Sequence, residues 1–301
     1  MELGRLNRYR ATHLPMNGSL PPWFVPVFAF LFGATVGSFL NVVIARAPKR
    51  ESVVKPRSRC PKCEREIAWY DNIPIVSWLL LRGRCRGCRM PISARYPLVE
   101  LSGGLLAVAC VRQLEPLSWA AAAFAFLAAL VALTYIDIDH WLLPRSITVP
   151  LIGAGLLASF LPGGPEPVSS LLGAAVAFAA FVALGFLAER ILKKEALGGG
   201  DVWLYAAIGA WLGVGSILPV ALLASVQGAL IGSVLLYAAR RRSQRAVLPA
   251  PKPIGDAEVD GWQPPEGAVP FGPFLALGAA EYVFFGERLV AWYLSVLQDL
   301  Q

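Results

Sequence analysis

The chain has 301 residues, 56% of them hydrophobic and 16% charged, with a net charge of +7 and a mean hydropathy of +0.57. A soluble domain of this size carries about a quarter charged residues. Here the apolar residues come in long blocks, so the composition excludes an ordinary water-soluble enzyme and points to the bilayer as solvent. The basic balance fits the loops of a membrane protein and excludes a nucleic-acid partner as its cause.

The first 22 residues are polar and read as an extracytoplasmic amino tail. The apolar run after them has no small-residue cleavage site. Eight apolar segments follow: Trp23–Ile44, Leu98–Val111, Trp119–Ile136, Ile147–Leu161, Val168–Ala188, Val202–Val214, Ile217–Ala239 and Val269–Phe285. A spanning helix needs about 20 residues, so the second, fourth and sixth are short. The expected fold is an all-α polytopic membrane protein of about eight transmembrane helices with a small loop domain, zinc-ribbon-like in its two Cys-x-x-Cys pairs at 60/63 and 85/88. Residues 1–22 form the tail, 23–45 the first helix, 46–97 a cytoplasmic zinc-binding loop, and 98–301 the remaining membrane domain. Internal repeats are not apparent.

Charge bias orients these spans. Residues 46–97 hold 13 Lys and Arg. With Arg145, Arg190, Lys193, Lys194, the Arg240–Arg242 triplet, Arg245 and Lys252, 22 of the 27 basic residues fall on one side of eight alternating spans. The positive-inside rule puts that side in the cytoplasm. The Pro- and Gly-rich stretch 246–268 reads as a cytoplasmic loop, and the Arg240–Arg242 triplet as an anchor on anionic lipid.

Two features carry chemistry. Asp137 closes the third segment within Tyr135-Ile136-Asp137-Ile138-Asp139-His140, and Asp201 opens the sixth after Gly198-Gly199-Gly200. Acids at the ends of apolar helices are costly and call for a function. With the topology above, both reach the same membrane depth on the same face. Two carboxyls sharing one proton can divide the labour of hydrolysis. One takes a proton from water and the other gives one to the scissile carbonyl, with no covalent intermediate. Gly198 and Gly200 let the backbone approach a neighbour closely and aim Asp201 at it. Residues two apart on a helix point about 200° apart, so only one of Asp137 and Asp139 can face Asp201.

The second feature is the pair of knuckles Cys60-Pro61-Lys62-Cys63 and Cys85-Arg86-Gly87-Cys88. Four thiolates at this spacing bind Zn²⁺ tetrahedrally. A closed four-thiolate site is structural rather than catalytic, and it would staple a loop with little core of its own. Apolar residues between the knuckles, among them Trp69, Ile73, Trp78 and Leu79, line the membrane surface or pack on the spans.

Taken in order, several landmarks resemble the type IV prepilin leader peptidases. They are Gly37-Ser38-Phe39-Leu40-Asn41, the two knuckles, Arg95-Tyr96-Pro97-Leu98-Val99-Glu100, the stretch from Ile136 to Pro144, the Gly-rich Asp201 motif, and Pro270-Phe271-Gly272-Pro273-Phe274. The resemblance runs from about Phe32 to Leu294. It implies an inner-membrane aspartyl peptidase that removes the basic leader of prepilins and pseudopilins at the cytoplasmic face. In many members it also implies N-methylation of the new amino terminus by S-adenosylmethionine. The family's catalytic aspartates fall on Asp137 and Asp201, and its zinc ligands on Cys60, Cys63, Cys85 and Cys88. No Gly-rich nucleotide motif locates the methyl donor, so its binding residues stay unknown. Two positions depart from the family pattern. Trp203 stands where Lys is common after Gly-Asp-Val, and Arg145 where Asp is common after Leu-Leu-Pro.

The remaining candidates have plainer readings. His140 is an interfacial histidine and His13 an inert tail residue. Cys110 is a small core residue. Trp211 and Trp292 are interface anchors. Glu100 is an acid at a helix amino terminus, or alternatively a group near the methylation or substrate site. Two other functions remain open: a peptidase without methyltransferase activity, and a proton-coupled transporter that uses the membrane carboxylates but has no use for the cysteines.

Overall fold

A computed structural model describes residues 21–192, 198–243 and 269–299. The amino tail to residue 20, His13, Lys193, Lys194 and the 246–268 loop lie outside the described residues. Each of the eight apolar segments is a helix: α1 (Phe24–Arg46), α3 (Arg95–Gln113), α4 (Leu117–His140), α5 (Arg145–Ala158), α6 (Pro167–Leu192), α7 (Gly199–Leu212), α8 (Ile217–Ser243) and α9 (Gly272–Asp299). A short helix, α2 (Val76–Leu80), lies in the cysteine loop. No strand occurs among the described residues, and only two isolated β-bridges do. The spans 24–46, 117–140, 167–191 and 214–234 are long and apolar enough to cross a membrane, and 145–158 and 272–286 are shorter apolar helices. The molecule is an integral membrane protein.

The two 14-residue helices α5 and α7 are each about 21 Å long at 1.5 Å per residue, short of a bilayer's ~30 Å hydrocarbon core. Helix α7 makes up the difference by packing inside the bundle, while α5 buries one face only, through Thr148, Leu151, Gly155 and Ala158. Leu204 through Trp211 are all buried, and α7 lies against both α5 and α6. Trp211 is therefore no interface anchor. Its ring stacks on Phe126 with centroids 5.0 Å apart, and its indole N–H donates to the Leu151 carbonyl at 2.8 Å. A buried Trp needs such a partner for its one donor. Cys110 is fully buried, as a core residue should be.

Glycines set how closely some helices approach. A Cβ on Gly33 would sit 2.3 Å from the Gly103 carbonyl oxygen, and one on Gly103 2.4 Å from that of Gly33. This locks α1 to α3. Gly173 and Gly209 have the same reciprocal relation at 2.3 Å each, which locks α6 to α7.

Candidate active site

The cysteine-bearing loop, the end of α4 and the starts of α3, α5, α7 and α9 gather at one end of the bundle. Helix α4 runs one turn past its apolar segment and stops at Trp141, which adopts the left-handed conformation and donates its N–H to the Asp137 carbonyl at 2.9 Å. Asp137 thus lies one turn inside the helix rather than at its tip, and it is buried. Its Oδ2 accepts the backbone N–H of Gly272, the first residue of α9, at 3.1 Å. A Cβ at Gly272 would stand 2.5 Å from that oxygen, so the close approach excludes every other residue.

Asp201 occupies the first turn of α7 and is also buried, its N–H donated to the Gly198 carbonyl at 3.0 Å. The three glycines before it are not equivalent. A Cβ on Gly198 would lie 3.1 Å from Asp201 Oδ2, and one on Gly200 2.8 Å from the Leu143 Cβ, whereas one on Gly199 would meet nothing within 4 Å. Gly198 has extended backbone, φ −66° and ψ 129°, so it is space and not conformational freedom that these positions need.

One side chain joins the two acids' supports. Buried Leu143 presses on the site of Gly200 and, through Cδ1, lies 3.3 Å from where a Gly272 Cβ would be. Helix α9 packs against both α4 and α7. Leu143 therefore lies beside the supports of both acids, Gly200 next to Asp201 and Gly272 against Asp137. Asp139 turns the other way. It is ion-paired with Arg95 at the start of α3, and that guanidinium also lies 4.6 Å from the centre of the Tyr135 ring. The two aspartates thus face different partners, Asp139 the Arg95 guanidinium and Asp137 the start of α9. Gly272 and Leu143 both fall within landmark motifs of the sequence, but their contacts with the two acids' supports are seen only in the packing.

The two departures from the family pattern meet in space. The Arg145 guanidinium lies over the Trp203 ring, 5.8 Å from its centroid. A cation–π contact stands where the usual residues, Asp and Lys, would be of opposite charge.

The four cysteines come together as well. The Sγ atoms of Cys60, Cys63, Cys85 and Cys88 lie within 4.8 Å of one another, and those of Cys60 and Cys88 are 3.7 Å apart. Zn–S bonds of about 2.3 Å give a tetrahedral edge of about 3.8 Å, so the donor set fits one ion. All four are free thiols. They cannot all ionise side by side without a cation. The backbone N–H groups of Cys63 and Lys62 bring Cys60 down to about 6. For Cys88 the Met90 N–H favours the thiolate, but burial and the three neighbouring thiols outweigh it and push the group up to about 11.

Each knuckle is the same turn. Cys60 donates to the Arg65 carbonyl and accepts from Glu64, a residue at φ 53°, inside the bridge Arg59–Glu66. Cys85, Met90 and Arg89 at φ 60° repeat the pattern inside the bridge Arg84–Pro91. This short internal repeat was not apparent in the sequence. Glu100 also differs from its expected place. It lies in the second turn of α3, not at the helix end, and its Oε2 accepts the Ile75 N–H from the loop at 2.7 Å.

Comparison with known proteins agrees with this layout. Residues 31–114 match the model of the bacterial peptidase A24 N-terminal domain, and residues 124–233 match that of the type IV leader peptidase family. A prepilin leader peptidase/N-methyltransferase of Myxococcus xanthus is 41% identical over 91% of this chain and 95% of its own length. One of the same name from Aeromonas hydrophila is 38% identical over 91% and 95%. A type 4 prepilin-like proteins leader peptide-processing enzyme of Escherichia coli is 36% identical over 87% and 95%. No solved structure gives a significant match. Identity at this level over nearly the whole chain, with family models matched over residues 31–114 and 124–233, means that the chain belongs to the type IV leader peptidase family.

Proposed function

We propose that this protein removes the leader peptide of type IV prepilins or type II secretion pseudopilins at the cytoplasmic face of the inner membrane, and then methylates the new amino terminus. The observation that carries the reading is the gathering of two buried acids from distant segments, Asp137 and Asp201, around Leu143 and the glycine at the start of α9. The names of the relatives support both activities. The concentration of basic residues at this end of the bundle supports the cytoplasmic orientation.

In this reading Asp137 and Asp201 hold a water molecule between them. One carboxylate takes its proton as the oxygen attacks the scissile carbonyl, and the other carboxyl donates to the carbonyl oxygen. The nitrogen of the leaving amine is then protonated and departs, giving a free amino terminus and a carboxylate on the leader. The Gly272 N–H fixes Asp137, and Leu143 holds the two helix starts in register. The glycines leave room for an extended peptide to pass close to the backbone.

Cys60, Cys63, Cys85 and Cys88 would hold a Zn²⁺ ion, which would staple the loop rather than take part in cleavage. Bound S-adenosylmethionine supplies an electrophilic methyl group. The chain's own residues need only hold the donor and admit the amine in its neutral form.

The test is co-expression of a prepilin with Asp137→Asn or Asp201→Asn. Leader removal stops in both, and mass spectrometry of the wild-type product shows a methylated amino terminus. Undiminished cleavage by either variant refutes the peptidase assignment. A cleaved but unmethylated product would leave a peptidase alone.

A further inference from the structure

Between the cysteine module above and helices α1 and α3 below lies a cavity of about 530 Å³, lined by neither Asp137 nor Asp201. Small-molecule sites run from about 300 to 1,000 Å³. Its floor is polar where two apolar helices would be expected to present apolar side chains. Ser38 and Asn41 of α1 and Glu100 of α3 face it. The Asn41 amide is fixed by donating to the Tyr96 carbonyl at 3.1 Å.

Glu100 is held more firmly. The Ile75 N–H it accepts comes from a residue at φ 63°, ψ −50°, the centre of a tight turn closed by the Val76 N–H on the Pro74 carbonyl at 2.6 Å. A β-branched residue in that conformation is strained. Such strain persists only where the surroundings over-determine it, and it gathers at ligand clamps.

The charges in the cavity do not balance locally. Of its three carboxylates, Glu66 is paired with Arg59 at 2.9 Å and Asp71 with Arg86 at 2.6 Å. Glu100 has hydrogen-bond donors but no cation among the described residues. A buried carboxylate without a counter-charge is costly, so the floor is matched to a ligand that brings positive charge. Trp78 lines the wall with its N–H already donated to the Ile92 carbonyl at 3.1 Å. Arg65 lines it without an ion pair among the described residues.

We propose that this cavity is the methyl-donor site. It takes an adenosyl sulfonium: Glu100 meets the positive charge, the Trp78 ring the purine, and Arg65 the donor's carboxylate. The assignment rests on the methyltransferase half of the proposed function.

The test uses the full-length protein in lipid nanodiscs. S-adenosylmethionine is titrated by calorimetry, then cross-linked by ultraviolet light and the labelled peptides mapped. Wild-type protein binds, and the label falls within residues 38–100, the extent of the cavity lining. Glu100→Gln weakens binding at least about tenfold, the effect of losing a charged partner. Ala45→Trp, an indole placed in the cavity from an exposed position on α1, abolishes it. Thermal melting and size exclusion establish that each variant is folded. Wild-type affinity in either folded variant, or a label outside the lining, overturns the site while leaving methylation standing. A wild-type protein that binds no donor and yields unmodified amino termini overturns the methyltransferase reading as well.

Discussion

The contact between Gly272 and Asp137 makes the sharpest prediction, because a single methyl group should disable the enzyme without unfolding it. A Cβ at position 272 would stand 2.5 Å from Asp137 Oδ2. Normal carbon–oxygen separation requires about 1 Å more, and the backbone of α9 on one side and the buried carboxyl on the other must supply it. Displacing a catalytic group by about 1 Å costs on the order of 10²-fold in rate. The lost or stretched hydrogen bond from the Gly272 N–H, a bond to a charged acceptor, is worth about 1.5–3 kcal/mol. At 1.36 kcal/mol per tenfold, that alone corresponds to about 10- to 150-fold. The two estimates converge on a fall in kcat of roughly 100-fold for Gly272→Ala. KM should change little, since the contact positions the acid rather than the substrate. The assay is cleavage of a purified prepilin by the variant in nanodiscs, with the melting temperature as a check on folding. Gly153→Ala is the control, because a Cβ there meets nothing within 4 Å. It should cleave normally and gain up to about 1 kcal/mol of helix stability. A folded Gly272→Ala enzyme within threefold of wild-type kcat would refute the reasoning.

Four further outcomes follow from the geometry. Among the glycines before Asp201, Gly199→Ala should cleave at a near-normal rate while Gly200→Ala loses about 10- to 100-fold, read in the same assay, because only the second collides with Leu143. Arg95→Gln breaks the pair with Asp139 and the contact with Tyr135. It should lower stability by about 1 kcal/mol with a lesser effect on cleavage, measured by melting and kinetics together. Cys85→Ser should remove bound zinc, measured by elemental analysis, and open the loop to proteolysis near residues 58–92 while Asp137 and Asp201 keep their positions. Arg145→Gln should lower stability by about 0.5–1 kcal/mol through loss of the contact with Trp203, and unchanged melting of that variant would count against the contact.

Much of the fold was legible because the bilayer writes it plainly. Each apolar block became a helix, and alternation alone brought Asp137, Asp201 and the cysteines to one end. The helix ends were less legible. The segment Leu98–Val111 starts after Pro97, yet Pro97 sits in the first turn of α3, where the missing N–H costs nothing, and the helix begins at Arg95. The segment Val269–Phe285 starts three residues ahead of α9, which begins at Gly272. The opposite error placed Asp137 at a boundary, because charge was taken to end α4; the helix continues through both aspartates to His140. The thiol cluster followed from spacing. The cavity did not, since Ser38, Asn41 and Glu100 are scattered over two helices and meet Trp78 only through a strained turn at Ile75. Trp211 was misplaced because an aromatic near a helix end looks alike whether it faces headgroups or a neighbouring ring.

The reciprocal glycine contacts have a bearing on how the molecule must move. Where Gly33 faces Gly103 and Gly173 faces Gly209, the helices touch through their backbones, with no side chain between them to change rotamer. Each pair behaves as a single thick strut, one carrying the floor of the cavity and the other carrying Asp201. Any opening of the bundle to a substrate therefore falls to the side-chain-filled seams around α4, α8 and α9, and spin labels placed across those seams should report it while labels within either strut stay at a fixed separation.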